Sequence, residues 1–305
     1  MILCACRISI LIGHKKRQQW LEEEECSERV KEAWENAISG GGASLVEIQA
    51  RVLGELWKWD REVLGALEKR IKNAKSELER CRRAAISQEQ INREHLLWYK
   101  LEHLLDQQHV YWLQQAHSTL LIKGDRNTKF FHAQASERKR RNTIIKLKDE
   151  GVGEVAGKYL KSFIANQYQQ LFMSSAGSQI EEVLGCIHEK VTWEMNDNMT
   201  APFSSDEVWA ALKDMGELKA PGADGTPVVF YKKFWSLVGK KVKEEVLGVL
   251  NGATMPEGWN DTVVVLVPKV KSPEKLKDLR PISLCNVVYK LISKVLANRL
   301  KLVLP

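Results

Sequence analysis

Between Leu45 and Leu78 the chain repeats a single pattern. Apolar residues stand at Leu45, Ile48, Val52, Leu56, Trp59, Val63, Leu67, Ile71, Ala74 and Leu78, and every step is three or four residues. That period matches the turn of an α-helix and misses the two-residue alternation of a strand, so it predicts an apolar stripe on a helix. The spacing is close to a heptad, and Glu68 and Lys72 place opposite charges four positions apart on the outer face. A second amphipathic stretch, about residues 86–120, carries Leu97, Leu101, Leu104, Leu105, Trp112 and Leu113. Two long helices with a short break between them predict an antiparallel hairpin or a coiled coil with another chain. Packing within the chain is the commoner fate of such a seam, and self-association through it stays open.

Composition narrows the classes. Lys and Arg outnumber Asp and Glu by 46 to 39 over 305 residues, a net charge of +7 and a pI near 9.0, which leans toward a polyanionic partner. The six cysteines stand at 4, 6, 26, 81, 186 and 285, with no CxxC pair and no Cys/His spacing of a structural zinc site. Free thiols and an intracellular compartment, nuclear or cytoplasmic, are expected. The opening "MILCACRISILIGHKKRQQW" holds an apolar run broken by Arg7, too short to span a bilayer and in the wrong order for a signal peptide. Neither secretion nor a membrane is expected.

Further along, "LEEEECSERVKEAWENAISGGGAS" predicts a short acidic helix closed by Gly40–Gly42. Asp125 or Asn127 can cap a helix that starts near Thr128. Next comes a strand-like alternation, Thr143, Ile145 and Leu147 on one face, with "DEG" as its turn. A helix over about 156–173 carries Leu160, Ile164, Tyr168 and Leu171. Residues 174–198 read as polar and irregular, with one short helix around Ile180–His188. "FSSDEVWAALKDM" is a complete helix start: Ser204 caps, Glu207 closes the capping box and Phe203 can staple to Val208. The turn "APGADGTP" follows, then one helix over 228–251 with Phe234, Val238, Val242, Val246 and Val249 on a side. "TVVVLVPKVKSPEKLKDLRPISL" predicts a strand at 262–267, a basic loop and a second strand at 281–284. The last helix buries Val288, Leu291, Ile292, Val295 and Leu296, and its polar side bears Lys290, Lys294, Asn298 and Lys301.

Three stretches, "KGDRNTKFFHAQASERKRRN", "LKAPGADGTPVVFYKKFW" and "MPEGWNDTVVVLVPKVKSPEKLKDLRPISLCNVVYKLISKVLANRLK", together resemble the reverse transcriptase polyprotein of plant long interspersed elements, retrotransposons without long terminal repeats. The resemblance spans about residues 20–305 and has its motifs in the family's order. It departs at Leu120 and Lys123, where the family has a tryptophan and a glutamate, and at Ala223, where it has proline. The resemblance implies a mainly α (α+β) chain in four parts: an unmatched segment 1–19, a coiled-coil-like helical linker 20–120, a basic extension 121–200, and the N-terminal fingers of the polymerase at 201–305 with a small antiparallel β-hairpin. In the family the endonuclease precedes such a linker, and the palm with its catalytic aspartates follows the fingers. The expectation is therefore an incomplete polymerase, inactive alone, that binds nucleic acid at most.

Nucleotidyl transfer needs carboxylates that hold two divalent ions. Asp206, Asp224, Asp261 and Asp278 each have a local structural role and no two are paired for a metal, so no catalytic or metal-binding residue is assigned. Mg²⁺ is expected only for a complete polymerase. The resemblance makes Arg280 the candidate for the triphosphate, because a guanidinium pairs bidentately with phosphate, with Lys269 next and Lys271 on the same hairpin. Template RNA and DNA primer are the partners it implies. The run Arg138, Lys139, Arg140 and Arg141, with Arg126 and Lys129, is a candidate phosphate grip, joined by Lys290 and Lys294 on the last helix. The plain alternative leaves all of these as solvated charges, with at least one of Phe130 and Phe131 in the core and His132 a structural histidine. Gly222, Asp224 and Gly225 are expected to set a turn that needs positive backbone angles. The rival function is a non-enzymatic interaction protein built on the helical linker.

Overall fold

The computed structural model describes residues 24–39, 42–59, 61–62, 67–83, 87–116, 128–149, 151, 153–173, 191–217 and 219–303. Within them the chain is mainly α, with eleven α-helices and two antiparallel two-stranded sheets. It divides into two units between Asn142 and Thr143, so the boundaries drawn at 120 and 200 each fall inside a unit.

The first unit holds α1 (Glu24–Ser39), α2 (Leu45–Trp59), α3 (Leu67–Arg82), α4 (Gln88–Ala116) and α5 (Thr128–Asn142). The long seam is buried where its period says, but it is two helices with two partners. Leu45, Ile48, Val52, Leu56 and Trp59 of α2 are buried, and α2 packs on α1, which buries Cys26, Val30, Trp34 and Ala37. Ile71, Ala74 and Leu78 of α3 form a separate core with Leu101 and Leu104 of α4, edged by Leu67, Leu97 and Leu105. Val63 lies outside the described residues. Residue Ser44 starts α2 with a capping box: its Oγ accepts from the Glu47 amide at 3.4 Å and its amide donates to Glu47 Oε2 at 3.0 Å. Helix α5 packs on α4.

The second unit opens with β1 (Lys146–Asp149) paired antiparallel to β2 (Gly153–Ala156), followed by α6 (Lys158–Phe172). The alternation expected from Thr143 does not hold, because pairing begins only at Lys146. Leu147 is fully buried, whereas Ile145 is 73% exposed and Ile144 turns to the core instead. Strand β2 was not foreseen. Leu160, Ile164 and Tyr168 of α6 are buried, but Leu171 is 67% exposed. The expected helix around Ile180–His188 lies outside the described residues. The polar stretch before 200 contains α7 (Trp193–Thr200), capped by the Thr192 hydroxyl, which accepts from the Met195 amide at 3.2 Å.

Helix α8 (Ser205–Asp214) has the predicted capping box. The single helix expected over 228–251 is broken at Phe234 into α9 (Val228–Lys233) and α10 (Trp235–Leu250). On either side of the break Phe230, Tyr231 and Phe234 are buried, as are Val238, Val242 and Val246. Strands β3 (Thr262–Pro268) and β4 (Leu279–Cys285) pair antiparallel, and α11 (Val287–Leu300) closes the unit. Val287, Val288, Leu291, Ile292 and Val295 of α11 are buried, but Leu296 is 49% exposed. One core joins both sheets: Leu147 of β1, Leu160, Ile164 and Tyr168 of α6, Val264 and Leu266 of β3, and Leu279 of β4. Burial raises the pKa of the Tyr168 phenol.

Candidate nucleic-acid interface

The β3–β4 register decides which side each residue takes. Val267 lies opposite Arg280, Val265 opposite Ile282 and Val263 opposite Leu284. These six share one face, since directly paired residues in an antiparallel ladder point the same way. The other face carries Val264, Leu266 and Leu279 into the shared core. The run "TVVVLV" is thus buried on both sides only at its start, while Val265 and Val267 are half-buried. Arg280 is exposed on that opening face, and no hydrogen bond or ion pair holds it among the described residues.

The loop between the strands is tightly held. Lys269 donates its amide to the Asp278 carbonyl at 2.8 Å and its Nζ to the Lys277 carbonyl at 2.7 Å. Asp278 Oδ2 accepts from the amides of Glu274 and Lys275 at 3.1 and 3.0 Å, which holds its carboxyl below the usual range. The loop is fastened to β1 as well. The Lys148 amide donates to the Glu274 carbonyl at 2.6 Å and Lys148 Nζ meets Glu274 Oε2 at 2.8 Å. That hydrogen bond raises the Lys148 pKa and lowers that of Glu274. Lys271 is exposed and has no partner of its own among the described residues.

Behind the hairpin, the turn after α8 meets the start of α11. Gly225 has φ +75°, as expected, but Gly222 does not take the left-handed region. Its lack of a side chain serves a close approach: a Cβ there would overlap Asn286 Oδ1, the Asn286 amide nitrogen and the Cys285 carbonyl carbon. Asn286 Oδ1 accepts from the Asp224 amide at 3.0 Å, and Nδ2 donates to the Gly258 carbonyl at 2.9 Å. The Asp224 carboxylate accepts from the Thr226 amide at 3.2 Å. Burial pushes its pKa up to about 6, against the opposing pull of the Thr226 amide and the Lys290 charge. Lys290 donates to the Ala220 carbonyl at 3.0 Å, and burial lowers its pKa. This lysine, a nucleic-acid candidate in the sequence, therefore braces the turn. Lys294 pairs with Asp214 at 3.4 Å.

At the far end of α11, Arg299 is 11% exposed and reaches back 92 positions to Glu207, at 2.6 Å from Nε and 2.9 Å from Nη2. Its Nη1 donates to the carbonyls of Met199, at 3.1 Å, and Ala201, and Nη2 donates to Pro202 at 2.9 Å. The guanidinium lies 3.6 Å from the centre of the Phe203 ring. Arg299 thereby holds Glu207 down to a pKa of about 2, aided by the Ser204 amide. The sequence reading found the capping box and missed this arginine. No local spacing links positions so far apart.

On α5, Arg138, Lys139, Arg140 and Arg141 are all exposed. Glu137 takes two of them: Arg140 Nε at 2.9 Å and Arg141 Nε at 3.2 Å. The Arg140 hydrogen bond lowers the Glu137 pKa and is answered by a rise at Arg140. Arg138 and Lys129 are exposed and take part in no ion pair among the described residues. Phe131 is fully buried, edge-on to His109 at 5.6 Å, whereas Phe130 is 38% exposed. His132 rests edge-on against Trp112 at 4.3 Å. Arg126 lies outside the described residues.

Among the described residues no three His, Cys, Asp or Glu are grouped to hold a metal ion. Nor is any described helix long and apolar enough to cross a membrane.

No family model matches the chain. Over 191 residues, 61% of its length, it is 27% identical to the transposon TX1 uncharacterized 149 kDa protein of Xenopus laevis. The chain spans 14% of that protein's length. The likeness supports a transposon origin.

Proposed function

We propose that the chain is the fingers and preceding helical linker of a retroelement reverse transcriptase, and that it holds the phosphates of nucleic acid and nucleotide. The observation that carries this reading is Arg280. Its neighbours Lys269 and Lys148 are engaged by the protein, whereas Arg280 stands exposed beside the half-buried Val265 and Val267. An unpaired guanidinium above an apolar floor suits a phosphate with a sugar or base beside it. Lys271 supplies a second free ammonium on the same hairpin. Arg138 and Lys129 supply sequence-independent grip on α5. The likeness to a transposon protein and the order of the three motifs support the same reading. Against the rival interaction module stands the burial of the described seam residues of α2 against α1 and of α3 against α4 within the same chain.

The test is a fluorescence-anisotropy titration of the full chain with a structured RNA at about 50 mM and about 200 mM salt. Affinity should fall steeply with salt, and Arg280→Ala should weaken binding and reduce the log–log salt slope by about 0.7–1. Salt-independent or absent binding, or an Arg280→Ala chain that binds like its parent, refutes the reading.

A further inference from the structure

We infer that Asn286 is the positioning residue for Arg280: it locks the register of the β3–β4 hairpin and so keeps the arginine on the open face. The inference rests on the reading of Arg280 given above and assigns to it a residue that the sequence did not single out.

Register is the quantity at stake. A slip of β4 by one residue would exchange its two faces, sending Arg280 toward Leu147, Ile164 and Tyr168 and drawing Leu279 out of that core. A tight two-residue turn would fix register by itself, but β3 ends at Pro268 and β4 begins at Leu279, so the connection is long. The bonds of Lys269 and Asp278 hold the closed end of the hairpin, and the open end needs an anchor of its own.

It comes at the open end of the hairpin. Thr262 opposite Cys285 is the last pair of the ladder, and Thr262 Oγ1 lies 3.4 Å from Cys285 Sγ. The next residue is Asn286. Its Nδ2 reaches the Gly258 carbonyl, on the approach to β3, and its Oδ1 takes the Asp224 amide from the turn after α8. Both partners are backbone groups, so neither can follow a slipped strand by changing rotamer. Gly222 lets the turn backbone lie directly on the Cys285–Asn286 peptide, and Lys290 fastens the same turn at Ala220.

The use of the amide is telling. Asn286 occupies the N-cap position of α11, where asparagine ordinarily bonds its own helix. Here its side chain makes no capping bond and is 6% exposed. Both ends of the amide are turned instead to segments 62 and 28 positions away. Displacing it would strand a buried donor and a buried acceptor together, which makes the native register the one arrangement that satisfies both.

The experiment is a double-mutant cycle on the full chain with the same RNA at low salt. Arg280→Ala is expected to lose about tenfold in affinity, the size of one charged hydrogen-bonded contact. Asn286→Ala should lose a similar factor and the same share of the salt slope, and the double variant should bind no more weakly than Arg280→Ala. Circular dichroism keeps the comparison to folded chains. Should Asn286→Ala fail to fold, Asn286→Ser is read in the same way. Hydrogen exchange of the unaltered chain gives a further reading: the Asp224 amide should open together with the amides of β4. Parental affinity in Asn286→Ala, additive losses in the cycle, or a freely exchanging Asp224 amide beside a protected β4 overturns the inference. If Arg280→Ala itself has no effect, the functional reading fails, and the exchange measurement still decides whether Asn286 locks the strand.

Discussion

The two units of this chain are held together by different means. In the helical unit the buried residues recur every three or four positions, and each helix packs on one adjacent in sequence: α1 on α2, α3 on α4, α4 on α5. In the second unit the decisive contacts are polar and distant. Lys148 reaches Glu274 across 126 positions, Arg299 reaches Met199 across 100 and Lys290 reaches Ala220 across 70. A seam of apolar stripes tolerates local loosening, because each pair of helices retains its own core. Where such a tie is sheltered, as at Arg299, Lys290 and Asn286, breaking it leaves desolvated groups without partners, whereas the exposed Lys148–Glu274 pair contributes less.

The largest expected effects set the two units against each other. Leu104→Ala should destabilise the helical unit by about 2–4 kcal/mol through the cavity it leaves, with faster hydrogen exchange confined to α3 and α4. Gly222→Ala should cost about 3 kcal/mol, the upper end for overpacking, because its Cβ meets backbone that cannot yield. Its exchange signature should appear at once near 222, 258 and 286, far apart in sequence. If Gly222→Ala loosened only its own turn, the contrast between the units would be lost.

Next in size is Arg299→Lys, which keeps the charge but cannot present the fork that serves Glu207 and three carbonyls. A loss of about 2 kcal/mol in a urea titration is expected. A change within experimental error would mean that the charge alone matters.

The last test is one of pH and sharpens the comparison within the second unit. Glu207 has its pKa depressed from 4.5 to about 2, so its contribution is complete above 4.5 and is lost as pH falls toward 2. Asp224 has its pKa raised from 3.8 to about 6, so the folded chain holds a proton that the unfolded chain has released, and stability falls as pH rises from 3.8 through 6. Asp224→Asn should abolish that fall while keeping an acceptor for the Thr226 amide. A urea midpoint that still declines between those pH values in Asp224→Asn would place the titration elsewhere.

How much was legible follows from the same division. Leu45, Ile48, Val52, Leu56, Trp59, Ile71, Ala74 and Leu78 were all named from their spacing and all are buried. The Ser204–Glu207 box and the β3–β4 hairpin were read with ends within two residues of those found. These features are fixed by neighbours a few positions away. The break at Phe234 was missed because a helical stripe continues through it, and α7 because its apolar residues are too few to mark a face. At the candidate site, Arg280 stands out by resemblance and is exposed, while Lys290 and Lys294, nucleic-acid candidates on the same grounds of charge, are bound within the protein. Asn286 and Arg299 carried no signal.

What the sequence determined on its own is which residues leave water and in which local geometry, since helical period, capping and strand alternation are written within a turn or two of chain. Tertiary structure alone decided that the long seam is shared between two partners and which of many similar cations remain unpaired. It also decided that a glycine and an asparagine 64 positions apart lie in contact. The reason is physical: a lysine or arginine looks the same in sequence whether or not a carbonyl waits for it, and that carbonyl is brought into place only by closure of the whole unit.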